Sequence, residues 1–145
     1  MTIRTILIAA SATLALATAA APAHAGSYLS LKQYGYGNTF GSAQNGRGRN
    51  RLTVFQDGFA NHASGAQTGV RNRVVIGQEG RRNKADAAQF GRGNIVGIAQ
   101  FGKGHKAITT QDGHGNAIGV IQAGRGNHAN VTQIGRGNVS VIVQD

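Results

Sequence analysis

The residues able to do chemistry in this chain are its amides, its histidines and a handful of acids, and their spacing separates them. All eleven glutamines stand on one register: Gln33, Gln44, Gln56, Gln67, Gln78, Gln89, Gln100, Gln111, Gln122, Gln133 and Gln144. Each step is 11 residues, except one of 12 between Gln44 and Gln56. Two residues beyond the first ten comes a glycine, at Gly35, Gly46, Gly58, Gly69, Gly80, Gly91, Gly102, Gly113, Gly124 and Gly135. Three residues further comes an asparagine, at Asn38, Asn61, Asn72, Asn83, Asn94, Asn116, Asn127 and Asn138; Asn50 arrives one place late and His105 breaks the column. A primary amide both donates and accepts. Identical Gln and Asn side chains stacked at a fixed spacing can therefore bond up and down a column, as in cross-β structures, and also satisfy turn backbone.

The other candidates carry less. The acids Asp57, Glu79, Asp86, Asp112 and Asp145 form no pair in unequal, protected surroundings, which carboxylate catalysis requires. His62, His105, His114 and His128 lack ligand spacing and cysteine is absent, so no metal is expected. Calcium-binding rolls need an Asp in every repeat loop, and this chain lacks that repeated Asp. Thr39, Thr53, Thr110 and Thr132 are too scattered for an ice-binding array. No enzyme activity, cofactor or small-molecule substrate is expected.

The elements that must position the amides follow from the period. Eleven residues could mark a helical supercoil, but glycine at two turn positions in most units costs about 1 kcal/mol each in a helix. The seven residues from Asn to Gln instead alternate, as strands do. With Asn and Gln inward, the third and fifth residues of each segment also point inward. Of those 22 residues 18 are apolar and none is charged, while Lys32, Arg51, Arg73, Lys84, Asp86 and Lys106 all point outward. The pattern predicts an all-β, two-sheet β-solenoid of about eleven short strands, two per 22-residue rung, six in one sheet and five in the other. Each x-G-x-x segment is expected to reverse the chain, with the inserted residue in the turn Asn45–Arg49. One rung cannot bury this thin core alone, so stability must come from stacking. The outward residues of the last three odd-numbered strands, Ile95 through Val143, turn apolar and predict a contact surface.

Met1–Ala25 carries one early charge, Arg4, then an apolar run from Ile6 to Ala21 ending in Ala23-His24-Ala25. That is the pattern of a cleaved secretory leader, leaving residues 26–145 as a single domain. Setting Arg4 aside leaves 14 Lys and Arg against 5 Asp and Glu, a net charge of +9. Six of the ten residues that follow the turn glycine are basic: Arg47, Arg81, Arg92, Lys103, Arg125 and Arg136. Alternation of the turns puts Arg81, Lys103 and Arg125 on one edge, and Arg92 and Arg136 beside His114 on the other. Such rows can keep a secreted monomer soluble, or they can contact extracellular DNA or an anionic polysaccharide.

The unit Gln-x-Gly-x-x-Asn-x-Ala-x-x-x-Gln, read from Gln78 through Gly80, Asn83 and Ala85 to Gln89, resembles the curlin repeat. Gln122, Gly124, Asn127, Ala129 and Gln133 repeat it without departure, and Tyr28 to Asn38 is similar to the opening repeat of curli major subunits. The resemblance implies a chain that crosses the periplasm, leaves through an outer-membrane secretion channel and is seeded by a nucleator. It then polymerises with itself into extracellular functional amyloid that serves biofilm and adhesion. Major subunits carry a Gly- and Asn-rich segment ahead of the first repeat that is not seen here. The positive charge is closer to that of the nucleator, and the resemblance leaves the two subunit types open.

Overall fold

The computed structural model describes residues 26–145; the leader expected over Met1–Ala25 lies outside them. Eleven strands follow one another: β1 Tyr28–Tyr36, β2 Thr39–Gly48, β3 Arg51–Phe59, β4 His62–Val70, β5 Arg73–Arg81, β6 Lys84–Arg92, β7 Ile95–Lys103, β8 Lys106–His114, β9 Ala117–Arg125, β10 His128–Arg136 and β11 Val139–Gln144. Odd-numbered strands form one six-stranded sheet in the order β1-β3-β5-β7-β9-β11, and even-numbered strands form the five-stranded sheet β10-β8-β6-β4-β2. All neighbours are parallel and in register, so that Gln56 pairs with Gln78 and Gln78 with Gln100. This is the two-sheet solenoid expected from the period, with the six-to-five division between sheets.

The alternation also holds residue by residue. Sixteen of the 22 positions expected inside are buried. The other six, Leu29, Leu31, Phe40, Ser42, Ser140 and Ile142, belong to β1, β2 and β11. These strands lie at the ends of the stack, where fewer neighbours cover an inward side chain, although Ala129 and Val131 of the end strand β10 are still buried. Leu29 and Leu31 are 47% and 40% exposed, whereas Leu52 and Val54 at the same positions of the next rung are 0% and 1% exposed. The core is thin because bulk faces economy. Leu52, Val54, Val74, Ile76, Val96, Ile98, Ile118 and Val120 come from the six-stranded sheet, and Ala63, Ala85, Ala87 and Ala107 from the other. At Gly65 a Cβ would stand 2.8 Å from Leu52 Cδ2, so even alanine crowds that rung.

Two local features differ from expectation. Most strands run nine residues rather than seven, because pairing continues past Gln through the turn glycine, as in Gly58 opposite Gly80. The inserted residue lies where it was expected, as a register shift between Asn45 and Gly48 of β2, and Asn50 beyond it is still buried. A bulge absorbs one residue without moving the column that follows.

Candidate functional site

The glutamines form two continuous columns, one under each sheet. In the six-stranded sheet Gln33 Nε2 donates to Gln56 Oε1 at 2.7 Å, Gln56 to Gln78 at 2.8 Å, Gln78 to Gln100 at 2.8 Å, Gln100 to Gln122 at 2.9 Å and Gln122 to Gln144 at 2.8 Å. In the five-stranded sheet the chain runs Gln44, Gln67, Gln89, Gln111, Gln133 at 2.8 to 3.0 Å. Every donor points toward the C-terminal end, so each column is a one-way chain of polarised amides. The second Nε2 proton reaches a backbone carbonyl of the opposite sheet: Gln78 to His62 O at 3.0 Å, Gln100 to Lys84 O at 2.9 Å. The same side chains thus bind rung to rung and sheet to sheet. Among the described residues no buried side-chain N or O lacks a partner. That matters because each orphaned buried group costs about 1–3 kcal/mol.

The asparagines stack differently. No Asn side chain bonds the next Asn side chain; the ladder alternates side chain and backbone. Asn61 Oδ1 accepts the backbone N–H of Asn83 at 3.1 Å. Its Nδ2 donates to Asp57 O at 3.1 Å in its own turn and to Gly80 O at 3.0 Å in the next rung. Asn38, Asn72, Asn83, Asn94 and Asn116 repeat the pattern at 2.7 to 3.3 Å, and Asn50, Asn127 and Asn138 make parts of it. Asparagine is one methylene shorter than glutamine, so its amide reaches the turn backbone.

The turn glycines are required by this stacking more than by chain reversal. At Gly58 and Gly80 the φ values are +115° and +114°, and a Cβ on either would overlap the carbonyl of the glycine one rung on. That carbonyl is the one the asparagine Nδ2 bonds. The reversal itself falls two residues later, at a left-handed residue preceding Asn. Glycine occupies it at Gly93, Gly104, Gly115, Gly126 and Gly137, but Arg49, Ala60, Arg71 and Arg82 hold it at φ between 53° and 63°.

His105 replaces asparagine without breaking the column. Its Nδ1 accepts the Asn127 N–H at 3.2 Å, its Nε2–H donates to Phe101 O at 3.1 Å, and its own N–H goes to Asn83 Oδ1 at 3.1 Å. The ring is 1% exposed. Imidazole supplies the acceptor and one donor of the amide, but no second donor for the next rung.

The basic residues fall on the edges as their alternation requires. Arg81, Lys103 and Arg125 stand in register and line a groove of about 280 Å³. Arg92, His114 and Arg136 form the other row. The first row continues an aromatic one that spacing did not reveal: Tyr36 stacks on Phe59 with ring centroids 5.7 Å apart, and Phe59 pairs with Arg81. Asp57 and Glu79 lie side by side on exposed turns. The outer face of the five-stranded sheet carries an ion pair, Lys84 with Asp86 at 3.3 Å, which Ser64 Oγ joins at 2.7 Å.

Compared with known families, the chain matches the curlin associated repeat over residues 49–80, 69–102, 80–113 and 106–135. Those segments together span 49–135, from β3 through most of β10. None of the curated proteins matches the chain.

Proposed function

We propose that this chain, which belongs to the curlin-associated-repeat family, is the structural subunit of an extracellular amyloid-type fibre. In this reading it stacks end to end with copies of itself and contributes to biofilm matrix and adhesion. The supporting observation is the state of the terminal rungs. Parallel sheets in register give each strand a neighbour of identical pattern, and β1 and β11 offer theirs to the next molecule. Exposed Leu29 and Leu31 have the bulk and alternation that would be buried against another rung. The glutamine column of the six-stranded sheet begins on the acceptor Gln33 Oε1 and finishes on the donor Gln144 Nε2, so two copies joined head to tail would continue that chain of bonds. Edges of this kind are templates for pairing. Secretion through the leader Met1–Ala25, an outer-membrane channel and a nucleator complete the reading, with the described chain as either growing subunit or nucleator.

The test is seeding. Monomer of residues 26–145 given preformed fibres should lose its lag and grow with thioflavin T fluorescence, and fibres seeded from boiled, dispersed protein should not. A monomer that stays soluble and unseeded over days would contradict the proposal.

A second reading is supported by the aligned edge of Tyr36, Phe59, Arg81, Lys103 and Arg125. A basic row flanked by a stacked aromatic pair suits extracellular DNA or an acidic polysaccharide. Binding should then weaken steeply between 50 and 200 mM salt, by about tenfold or more if three phosphates are neutralised, and be lost on changing the three basic residues to Ser. Salt-independent binding would exclude it.

A further inference from the structure

Most glycines here are explained by a left-handed φ, a stacked carbonyl or a crowded core, but Gly77, Gly97 and Gly119 are not. Their φ angles lie outside the left-handed region, and a Cβ on Gly97 would meet nothing within 4 Å. On Gly77 it would come no closer than 4.0 Å to a backbone oxygen, and on Gly119 no closer than 3.9 Å to a Val141 methyl. Glycine weakens a strand interior and there marks close approach by something else. Gly41 is the one comparable case on the other sheet. The three share one surface, the outer face of β5, β7 and β9, where a shallow groove of about 300 Å³ is floored by Gly97 and Gly119. Val75, Ile95 and Ile121 on that face are 40%, 49% and 43% exposed. Between Arg73 at one margin and Glu79 with the Arg81, Lys103 and Arg125 row at the other, no charged side chain points outward from β5, β7 and β9, in contrast to the Lys84–Asp86 face behind.

The glycines also follow a rule. Two adjacent outward columns run along the stack, Val75/Gly97/Gly119 and Gly77/Ala99/Ile121, matched rung by rung. Each rung holds one glycine, or in β7 one glycine beside alanine. We infer that this face is a self-association surface, occupied by the same face of a second copy of the chain. The two are related by a two-fold axis along the stacking direction between the two columns. That operation sets each column against the other column of the second copy at the same level. Val75 then faces Gly77, Gly97 faces Ala99, and Gly119 faces Ile121, so every contact joins a side chain to a glycine. Interdigitation of this kind is dry and close, as in a steric zipper, and it is isologous, as a two-fold contact must be.

The area selects what pairs. Three strands about 4.8 Å apart and two columns about 6.7 Å apart cover about 200 Å², well below the about 800 Å² per partner of a stable isolated complex. The contact recurs once per subunit along a stack, so it serves to pair fibres laterally, and it rests on the fibre reading above.

A knob-and-hole swap tests it. Gly119→Ile should leave seeded elongation within about twofold, since the monomer has room for the side chain, yet reduce the fraction of paired fibres in electron micrographs at least tenfold. Adding Ile121→Gly to that variant restores the knob and hole with columns exchanged, and pairing should return. Pairing that survives Gly119→Ile, or that the double variant fails to restore while elongation is normal, overturns the surface. Wild-type fibres that remain single overturn this surface alone; a chain that forms no fibres overturns the fibre reading and this inference together.

Discussion

Gln78 and Gln100, 22 residues apart in the chain, are joined by a 2.8 Å bond from amide to amide while both also clasp carbonyls of the opposite sheet. Replacing both by Ala should strip Gln56 Nε2 of its rung-to-rung acceptor and Gln122 Oε1 of its donor, and remove the clasps on the His62 and Lys84 carbonyls. At about 1–3 kcal/mol for each buried orphan, the loss should exceed 3 kcal/mol in denaturant unfolding and slow fibre growth strongly. Lys84→Ala with Lys106→Ala, on the solvated face of neighbouring strands, should stay within about 1 kcal/mol. Equal effects from the two pairs would remove the columns from the explanation.

β7 offers two glycines five residues apart with opposite prospects. Gly102→Ala drives a Cβ into the Gly124 carbonyl at φ +126°, whereas Gly97→Ala enters open space. The first should cost at least about 2 kcal/mol; the second should be neutral or stabilising by about 0.5–1 kcal/mol in a strand. Thermal unfolding of the two variants decides it.

Ala60 holds a left-handed conformation, φ 53°, where other rungs place glycine. Ala60→Gly should raise stability by about 1 kcal/mol, against the usual penalty for adding glycine. A lower midpoint in urea would contradict the role assigned to that turn.

His105→Asn should restore the second donor to the next rung's glycine carbonyl and stabilise by about 1 kcal/mol, while His105→Ala should destabilise by more than that. Should Asn prove worse than His, the ring is packing there rather than imitating the amide.

Much of this was legible because the inward face and the period reinforce each other. Gln and Asn set the phase, and the apolar third and fifth residues confirmed it independently, so strand count, sheet division and the bulge before Asn50 followed. What escaped was whatever depends on distance between rungs. Whether Asn bonds Asn or backbone is decided by one methylene, and no spacing carries that. The turn glycines looked like reversal residues, but their necessity comes from a carbonyl 22 residues away. The left-handed Arg71 and Arg82 gave no signal at all, since arginine is no turn residue by type. The row joining Tyr36 and Phe59 to Arg81 became visible only once register placed them on one edge.

The central claim is that rungs continue across molecules as they do within one. Fibre diffraction from residues 26–145 tests it most directly. The account predicts a sharp meridional reflection near 4.8 Å with an equatorial one near 10 Å, from fibres whose in-register parallel repeats keep the stacking of the single chain. Monomers that align without a 4.8 Å meridional reflection, or fibres whose strands lie along the axis, would contradict it.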